Sequence, residues 1–144
     1  MAEDTTKPVK KTRADGQMTG LSGEFFVAAE LLKRGLQTSL TLGNAKKVDL
    51  FARNAAGRGF NIQVKALRSK NYFLIDAARV DGDCVYVFVI LNKPGEATEY
   101  FIVPGSELAF EPGKFGKWFQ VAKMPGIHPN DLALYRNNWV LFES

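Results

Sequence analysis

The sequence has few of the residues that support thiol and imidazole chemistry, with one cysteine and one histidine among 144 residues. A single cysteine excludes a disulfide framework or a thiolate zinc site within one chain. Cys84 lies inside the apolar run 84–91, where a small buried thiol is expected. His128 stands beside Pro129 in a predicted loop, which favours a structural role over a hydrolase relay.

The chain also lacks the apolar segments that membranes and export machinery recognise. No run approaches the roughly 20 residues of a membrane span, and the stretch from Met1 to Thr6 contains no apolar signal region. Neither a Walker-type glycine loop nor a dinucleotide-binding fingerprint occurs. These absences predict a soluble, cytoplasmic protein.

Length and charge limit how the chain is organised. A chain of 144 residues with 46% hydrophobic content can bury one good core, so we expect a flexible basic tail over residues 1–18 and one domain over 19–144. Residues 19–70 hold nine basic and three acidic side chains, a charge of +6, whereas residues 71–144 hold six and nine, a charge of −3. Such a basic segment is typical of proteins that handle polyanions, although a solvated surface can have the same composition.

Two alternating segments, residues 48–52 and 60–66, flank a glycine-bearing turn and predict a β-hairpin. On the second strand the apolar residues face one way, and Gln63 and Lys65 face the other. A turn that is symmetric about its central residue places Asp49 opposite Gln63, because antiparallel partners keep a constant sum of residue numbers. The hairpin then gathers an acid, an amide and an amine on one patch.

The segment 21–34 has helical periodicity and ends at Gly35. Its predicted core-facing arc comprises Leu21, Phe25, Ala28, Ala29 and Leu32, with Val27 and Leu31 on the flank. Glu24 falls inside this arc, where an unpaired carboxylate is costly. A favourable interaction with the helix N-terminus explains the position of Glu24 along the helix but not its direction. We therefore expect Glu24 to be a functional carboxylate directed at the sheet.

The remaining sequence alternates strand patterns, turns and short helices. Strands are predicted at residues 36–42, 72–75, 84–91 and 99–103. The third of these is a continuous apolar run, which is typical of a strand buried on both faces. Ser106 is expected to cap a short helix over residues 107–110, and another helix is expected from Asn130 or Asp131 through Tyr135. This order predicts an α/β fold with a mixed β-sheet flanked by helices.

Four polar residues form a chemically coherent set, with Glu24 on the helix, Asp49 on one strand, and Gln63 and Lys65 on the next. Two carboxylates about 4 Å apart repel each other by roughly 4 kcal/mol at an effective dielectric near 20, so their convergence calls for a cation. Oxygen donors without imidazole or thiolate select a hard ion, Mg²⁺ or Mn²⁺. A lysine beside such an ion can hold or help deprotonate a water. The pattern therefore predicts metal-assisted phosphodiester hydrolysis.

These residues resemble the motifs of the PD-(D/E)XK nucleases, a superfamily of restriction-endonuclease-like fold, and particularly its bacterial and archaeal members related to Holliday-junction resolvases. The matching segments are residues 21–24, 28–32 and Gly35 on the helix, 48–50 on the first strand and 62–65 on the second. The resemblance implies a nuclease that depends on Mg²⁺ or Mn²⁺ and cuts DNA, including branched or recombination and repair intermediates. It also implies a homodimer in which two subunits cut paired strands.

The same resemblance assigns a role to each site residue. It implies that Asp49 bridges the metal, that Glu24 adds a ligand directly or through water, and that the backbone carbonyl of Val64 can coordinate. Lys65 would orient the attacking water. Gln63 would offer a neutral oxygen where the family has an acid.

Two departures from the family pattern leave alternatives open. Val48 replaces a proline, which is common in the family, and Gln63 removes one negative charge from the site. Weaker metal binding, or a module that binds nucleic acid without cutting, is therefore one alternative. Another is an interaction protein whose acidic second half contacts a protein partner. The predicted nucleic-acid contacts are Lys46, Lys47, Arg68 and Lys70.

Overall fold

A long helix, α1 (Arg13–Lys33), lies against a five-stranded sheet in the computed structural model, which describes residues 13–41 and 47–144. The strands are β1 (Gln37–Leu40), β2 (Leu50–Arg53), β3 (Gly59–Leu67), β4 (Phe73–Leu74), β5 (Val85–Ile90), β6 (Glu99–Pro104) and β7 (Gly126–Ile127). The main sheet has the order β1-β2-β3-β5-β6, and β4 pairs with β7 in a separate small sheet. The predicted α/β fold with a mixed sheet flanked by helices is confirmed.

The other helices are short. They are α2 (Gly105–Phe110) and the 3₁₀ helices Ala77–Arg79, Pro112–Phe115, Pro129–Tyr135 and Trp139–Glu143. The helix α2 begins without a side-chain cap, contrary to the role expected of Ser106, and the predicted helix after Asn130 is 3₁₀ in type. None of the helices within the two described ranges is long and apolar enough to cross a membrane.

The strands β2 and β3 form the predicted hairpin with the predicted register. Leu50 pairs with Ile62 and Arg53 with Gly59, so every pair of residue numbers sums to 112. This is the sum that places Asp49 opposite Gln63, with Asp49 one residue ahead of the first paired position. The chain reverses between Asn54 and Arg58, where two hydrogen bonds join the backbone and side chain of Asn54 to Arg58.

The strand β5 joins the two halves of the sheet. It runs parallel to β3, with Gln63 beside Tyr86, and antiparallel to β6. All six residues of β5 are buried, as expected of a strand covered on both faces. Parallel neighbours need a crossover connection, and here β4 and the 3₁₀ helix Ala77–Arg79 lie in that crossover.

The two faces of the sheet carry separate cores. On the face covered by α1, the core includes Val27, Leu31, Leu50, Ile62, Val87 and Ile102. On the other face, the core includes Tyr86, Phe88, Phe101, Leu108, Phe115 and Phe119. This second core covers β5 and β6 but leaves the hairpin open, because Phe51 and Asn61 on the same face are exposed. The open half of this face is where Gln63 and Lys65 project.

Helix α1 buries the flank of the predicted arc rather than its centre. Leu21, Phe25 and Leu32 of the predicted arc are 49%, 55% and 55% exposed. The buried stripe consists of Glu24, Val27, Ala28 and Leu31, which were predicted in the arc or on its flank, together with Gly23. The helix also begins at Arg13 rather than Leu21, so residues 13–18 of the predicted tail are helical, while residues 1–12 lie outside the described part of the chain.

An ion pair between Glu99 and Arg136 makes the fold sensitive to acid. The Arg136 guanidinium donates to the Glu99 carboxylate, and this hydrogen bond, with a second from Asn92, holds the pKa of Glu99 below its ordinary value. Because the folded pKa lies below the unfolded one, the stabilisation is present above the unfolded pKa and is lost as pH falls through the folded pKa.

We therefore expect Arg136→Met to lower the melting temperature near pH 7, with the difference from wild type shrinking below about pH 4. Thermal unfolding followed by circular dichroism at several pH values measures the difference. Arg79→Met is the matched control, because the Arg79 side chain is 88% exposed and its ion pair is long, with 3.9 Å between Arg79 Nε and Asp76 Oδ2. A destabilisation by Arg136→Met that does not change with pH would contradict the assignment.

Candidate active site

Asp49 stands where β2 and β3 separate. The two strands pair only as far as Leu50 and Ile62, after which β3 continues beside β5 to Leu67. The Asp49 N–H donates to the Ile62 carbonyl at 2.9 Å, and Asp49 Oδ2 accepts the Val64 N–H at 2.8 Å. The carboxylate thus substitutes for a strand partner of Val64, which fixes the position of Asp49 at the edge of β3.

Val64 presents an oxygen to the same gap. The N–H and C=O of a strand residue point to the same side of the strand, so the Val64 carbonyl faces the Asp49 side rather than β5. Gly23 of α1 packs against this position, since a β-carbon built on Gly23 lies 3.4 Å from Val64 Cγ1. Glu24 follows Gly23 and is only 8% exposed. Helix α1, Asp49 and the edge of β3 therefore meet at Val64.

Gln63 and Lys65 flank Val64 in sequence and alternate with it, so they project to the opposite face of the sheet. There they line a cleft of about 410 Å³. The remaining lining residues are Leu74, Ile75, Asp76, Arg79, Val80, Tyr86, Met124 and Pro125. Burial raises the pKa of Tyr86 on this wall of the cleft, and the negative charges of Asp81 and Asp49 add to the rise.

Two charged residues of the cleft were not singled out from the sequence. Asp76 caps the 3₁₀ helix Ala77–Arg79 by accepting the Ala78 N–H at 3.0 Å. Arg79 extends from the same short helix and is largely exposed. A single 3₁₀ turn has no periodicity or motif that could have pointed to either residue. Tyr86 could have been found only by anticipating the parallel pairing of β3 with β5.

Of the four predicted nucleic-acid contacts, the three that the structure describes are on the surface. Lys47, Arg68 and Lys70 are exposed, and Lys46 lies outside the described residues. Arg68 Nε donates to Thr19 Oγ1 of α1 at 2.8 Å, which ties the end of β3 to the helix. His128 has the structural role expected of it, because its Nδ1 accepts the Asn130 N–H at 3.1 Å and caps a 3₁₀ helix.

The donor atoms of the candidate residues have the chemistry that a hard divalent cation requires. The carboxylates of Glu24 and Asp49, the amide oxygen of Gln63 and the Val64 carbonyl are all oxygen ligands of the kind that Mg²⁺ and Mn²⁺ prefer. Within residues 13–41 and 47–144, no three His, Cys, Asp or Glu side chains come together in a group that could hold a metal. A cation here would therefore need the neutral oxygens as well as the carboxylates.

Comparison with known proteins identifies a similar fold. The structure of a bacterial homing endonuclease, I-Ssp6803I, matches 88% of this chain and 91% of its own, with a TM-score of 0.58 and 16% sequence identity. The two proteins share a fold. No protein-family model matches the sequence, and the comparison with curated proteins gives no match. Membership of the PD-(D/E)XK superfamily therefore stays a prediction from the motif residues.

Proposed function

We propose that the protein is a divalent-metal-dependent nuclease of the PD-(D/E)XK type that hydrolyses phosphodiester bonds in DNA. The observation that carries the proposal is the meeting of α1, Asp49 and β3 at Val64, with Gln63 and Lys65 projecting from the same stretch of β3 into the open cleft on the other face of the sheet. The fold shared with a homing endonuclease supports a nuclease. Branched DNA and repair or recombination intermediates are the proposed substrates.

Each site residue has a chemical task in this proposal. Glu24, Asp49, Gln63 and the Val64 carbonyl would hold Mg²⁺ or Mn²⁺, which when bound lowers the pKa of water and neutralises phosphate charge. The Lys65 ammonium has three donors with which to hold the attacking water and a phosphate oxygen. The water oxygen forms a new bond to phosphorus as the bond to the leaving sugar oxygen breaks, which gives one phosphate end and one hydroxyl end.

Exposed basic residues near the site suit a polyanionic partner. Lys47 precedes β2, and Arg68 and Lys70 follow β3, so positive charge lies at both ends of the hairpin segment that forms the site.

The assembly we propose is a homodimer, because cutting both strands of a duplex calls for two sites. Sedimentation of the protein with and without DNA measures this.

Incubation with supercoiled plasmid and with a four-way DNA junction tests the proposed activity. We expect nicked and linear products with Mg²⁺ or Mn²⁺ and none with EDTA. The same product level from wild type and from Asp49→Asn would contradict a nuclease.

A non-catalytic nucleic-acid-binding module is the second candidate, and Gln63 is the observation that favours it. With Gln63 in place of an acid, the site has one negative charge fewer, and no three acidic side chains converge in the described residues. This candidate predicts salt-dependent DNA binding that is the same with and without Mg²⁺. An interaction protein that binds a protein partner and no nucleic acid would show no DNA affinity at low salt.

Restoring the acid at position 63 is expected to strengthen metal binding. We expect Gln63→Glu to lower the Mg²⁺ concentration needed for half-maximal cleavage by about tenfold, because a third carboxylate joins Glu24 and Asp49. Cleavage rates over a Mg²⁺ titration measure this. Asn61→Asp is the matched control, since Asn61 lies two residues away on the same strand face but outside the cleft lining. Equal shifts in both variants would show that added charge alone is responsible.

A further inference from the structure

An apolar lip borders the cleft that Gln63 and Lys65 line. Leu74 and Met124 both line this cleft and are 55% and 69% exposed. They come from segments far apart in the chain, Leu74 from β4 and Met124 from the residue pair just before β7. Two exposed apolar side chains beside polar groups in one cleft are the composition of a ligand-binding surface.

The loop that presents Met124 is held in place. The Ile75 N–H donates to the Pro125 carbonyl at 3.0 Å, and the Tyr72 hydroxyl donates to the Met124 carbonyl at 3.1 Å. Met124 has a φ of 48°, in the left-handed region that few residues other than glycine occupy. These bonds hold a backbone conformation that is unfavourable for methionine, and strain of this kind clusters at binding and catalytic sites.

The charges around this lip are those of a nucleic-acid contact. Lys65 and Arg79 line the same cleft, and Lys123 is exposed next to Met124. Asp76 is the acidic residue of the lining, and its carboxylate lies 3.9 Å from Arg79 Nε. Cationic side chains around an apolar edge suit a nucleic-acid strand, because its phosphates need counter-charges and its bases offer apolar faces.

We propose that Leu74 and Met124 form an apolar wedge that unstacks a base step of the DNA beside the phosphate held in the cleft. This inference rests on the proposed function and adds a means of selecting DNA that is easily distorted. Leucine and methionine are among the side chains that proteins insert between base steps, and unstacking costs least at mismatches, junctions and flexible steps. The wedge would therefore favour branched or damaged DNA over a regular duplex.

Fluorescence of 2-aminopurine tests the wedge, because this base brightens when it is unstacked. The probes are a four-way junction and a linear duplex with 2-aminopurine in place of adenine at successive positions, mixed with the Asp49→Asn protein and Ca²⁺ to prevent cutting. Into this background we place Met124→Asn and Leu74→Ala. Asparagine tolerates the left-handed backbone, so Met124→Asn should keep the loop and the melting temperature unchanged. Leu134→Ala is the control, since Leu134 is 94% exposed and is not part of the cleft lining.

We expect the Asp49→Asn protein to raise the fluorescence at one or two positions near the branch point. Met124→Asn and Leu74→Ala should each remove most of that rise and weaken junction binding about tenfold, whereas Leu134→Ala should change neither. DNA that binds without any rise, or equal behaviour of Met124→Asn and Leu134→Ala, would overturn the wedge but leave the nuclease proposal standing. A protein that binds neither probe at low salt would overturn both.

Discussion

Asp49→Asn is expected to lower the cleavage rate by more than about 100-fold, while the protein keeps its fold and its DNA affinity. Loss of an outer-shell partner alone costs roughly 10–100-fold at metal sites, and Asp49 is proposed to bind the cation directly. Asparagine has the size of aspartate, and its side-chain oxygen can still accept the Val64 N–H. The variant therefore removes charge without removing the contact that closes the edge of β3. Plasmid cleavage and junction binding, measured on the same preparation, test this.

Two companion variants separate charge from structure. Asp49→Ala also removes the acceptor of the Val64 N–H, so it should lower the free energy of unfolding by about 1–3 kcal/mol, which Asp49→Asn should not. Lys65→Met keeps most of the apolar part of the side chain and removes its ammonium group, and we expect a loss of about 10²–10⁴-fold in cleavage rate. Wild-type activity in either Asp49→Asn or Lys65→Met would contradict the proposed site.

Gly23→Ala is expected to destabilise the protein by about 1–3 kcal/mol and to reduce cleavage further than its stability alone explains. A β-carbon on Gly23 would lie 2.5 Å from the Ala66 β-carbon, which cannot move aside without shifting β3. The helix must therefore retreat from the strand, and Glu24 retreats with it. Urea unfolding gives the stability, and cleavage rates at a temperature where the variant is fully folded give the activity.

The same helix supplies the control. Gly20 also lies in α1, but a β-carbon there would meet nothing within 4 Å. Alanine is a better helix former than glycine, so Gly20→Ala should stabilise the protein by about 0.5–1 kcal/mol and leave cleavage unchanged. If both variants change stability in the same direction, close packing of α1 on β3 is not what positions Glu24.

The hairpin was predictable because local rules determine it. Alternating residues in 48–52 and 60–66 fix which side chains share a face, and the glycine-bearing turn fixes the register, so the pairing of Leu50 with Ile62 follows from the sequence. The burial of β5 was equally clear from its continuous apolar run. These features depend on neighbours close in the chain.

The buried face of α1 was predicted only in part, because the helix is apolar on more than one side. Leu21, Phe25 and Leu32 form an apolar stripe at helical spacing as regular as the one that the sheet covers, and periodicity therefore pointed at them. Close packing of Gly23 against Ala66 turns a different face to β3. Glu24 borders both faces, so its burial was predicted correctly although the arc around it was not.

The walls of the cleft could not be read from the sequence. Arg79 and Met124 reach it from a single 3₁₀ turn and a loop, and their positions depend on the pairing of β4 with β7 across more than 50 residues. Tertiary contacts of this range leave no local pattern. The sequence therefore predicted the donors of the site but not the surface that surrounds them.

The site is divided along the chain in a way that bears on how the protein can evolve. Every proposed metal donor lies in the stretch from Glu24 to Val64. Most of the cleft wall, in contrast, lies between Leu74 and Pro125. Mutation or recombination in the second stretch can alter which substrate is accepted while the reactive groups are inherited unchanged. For the proposed nuclease, target choice and chemistry can therefore change independently.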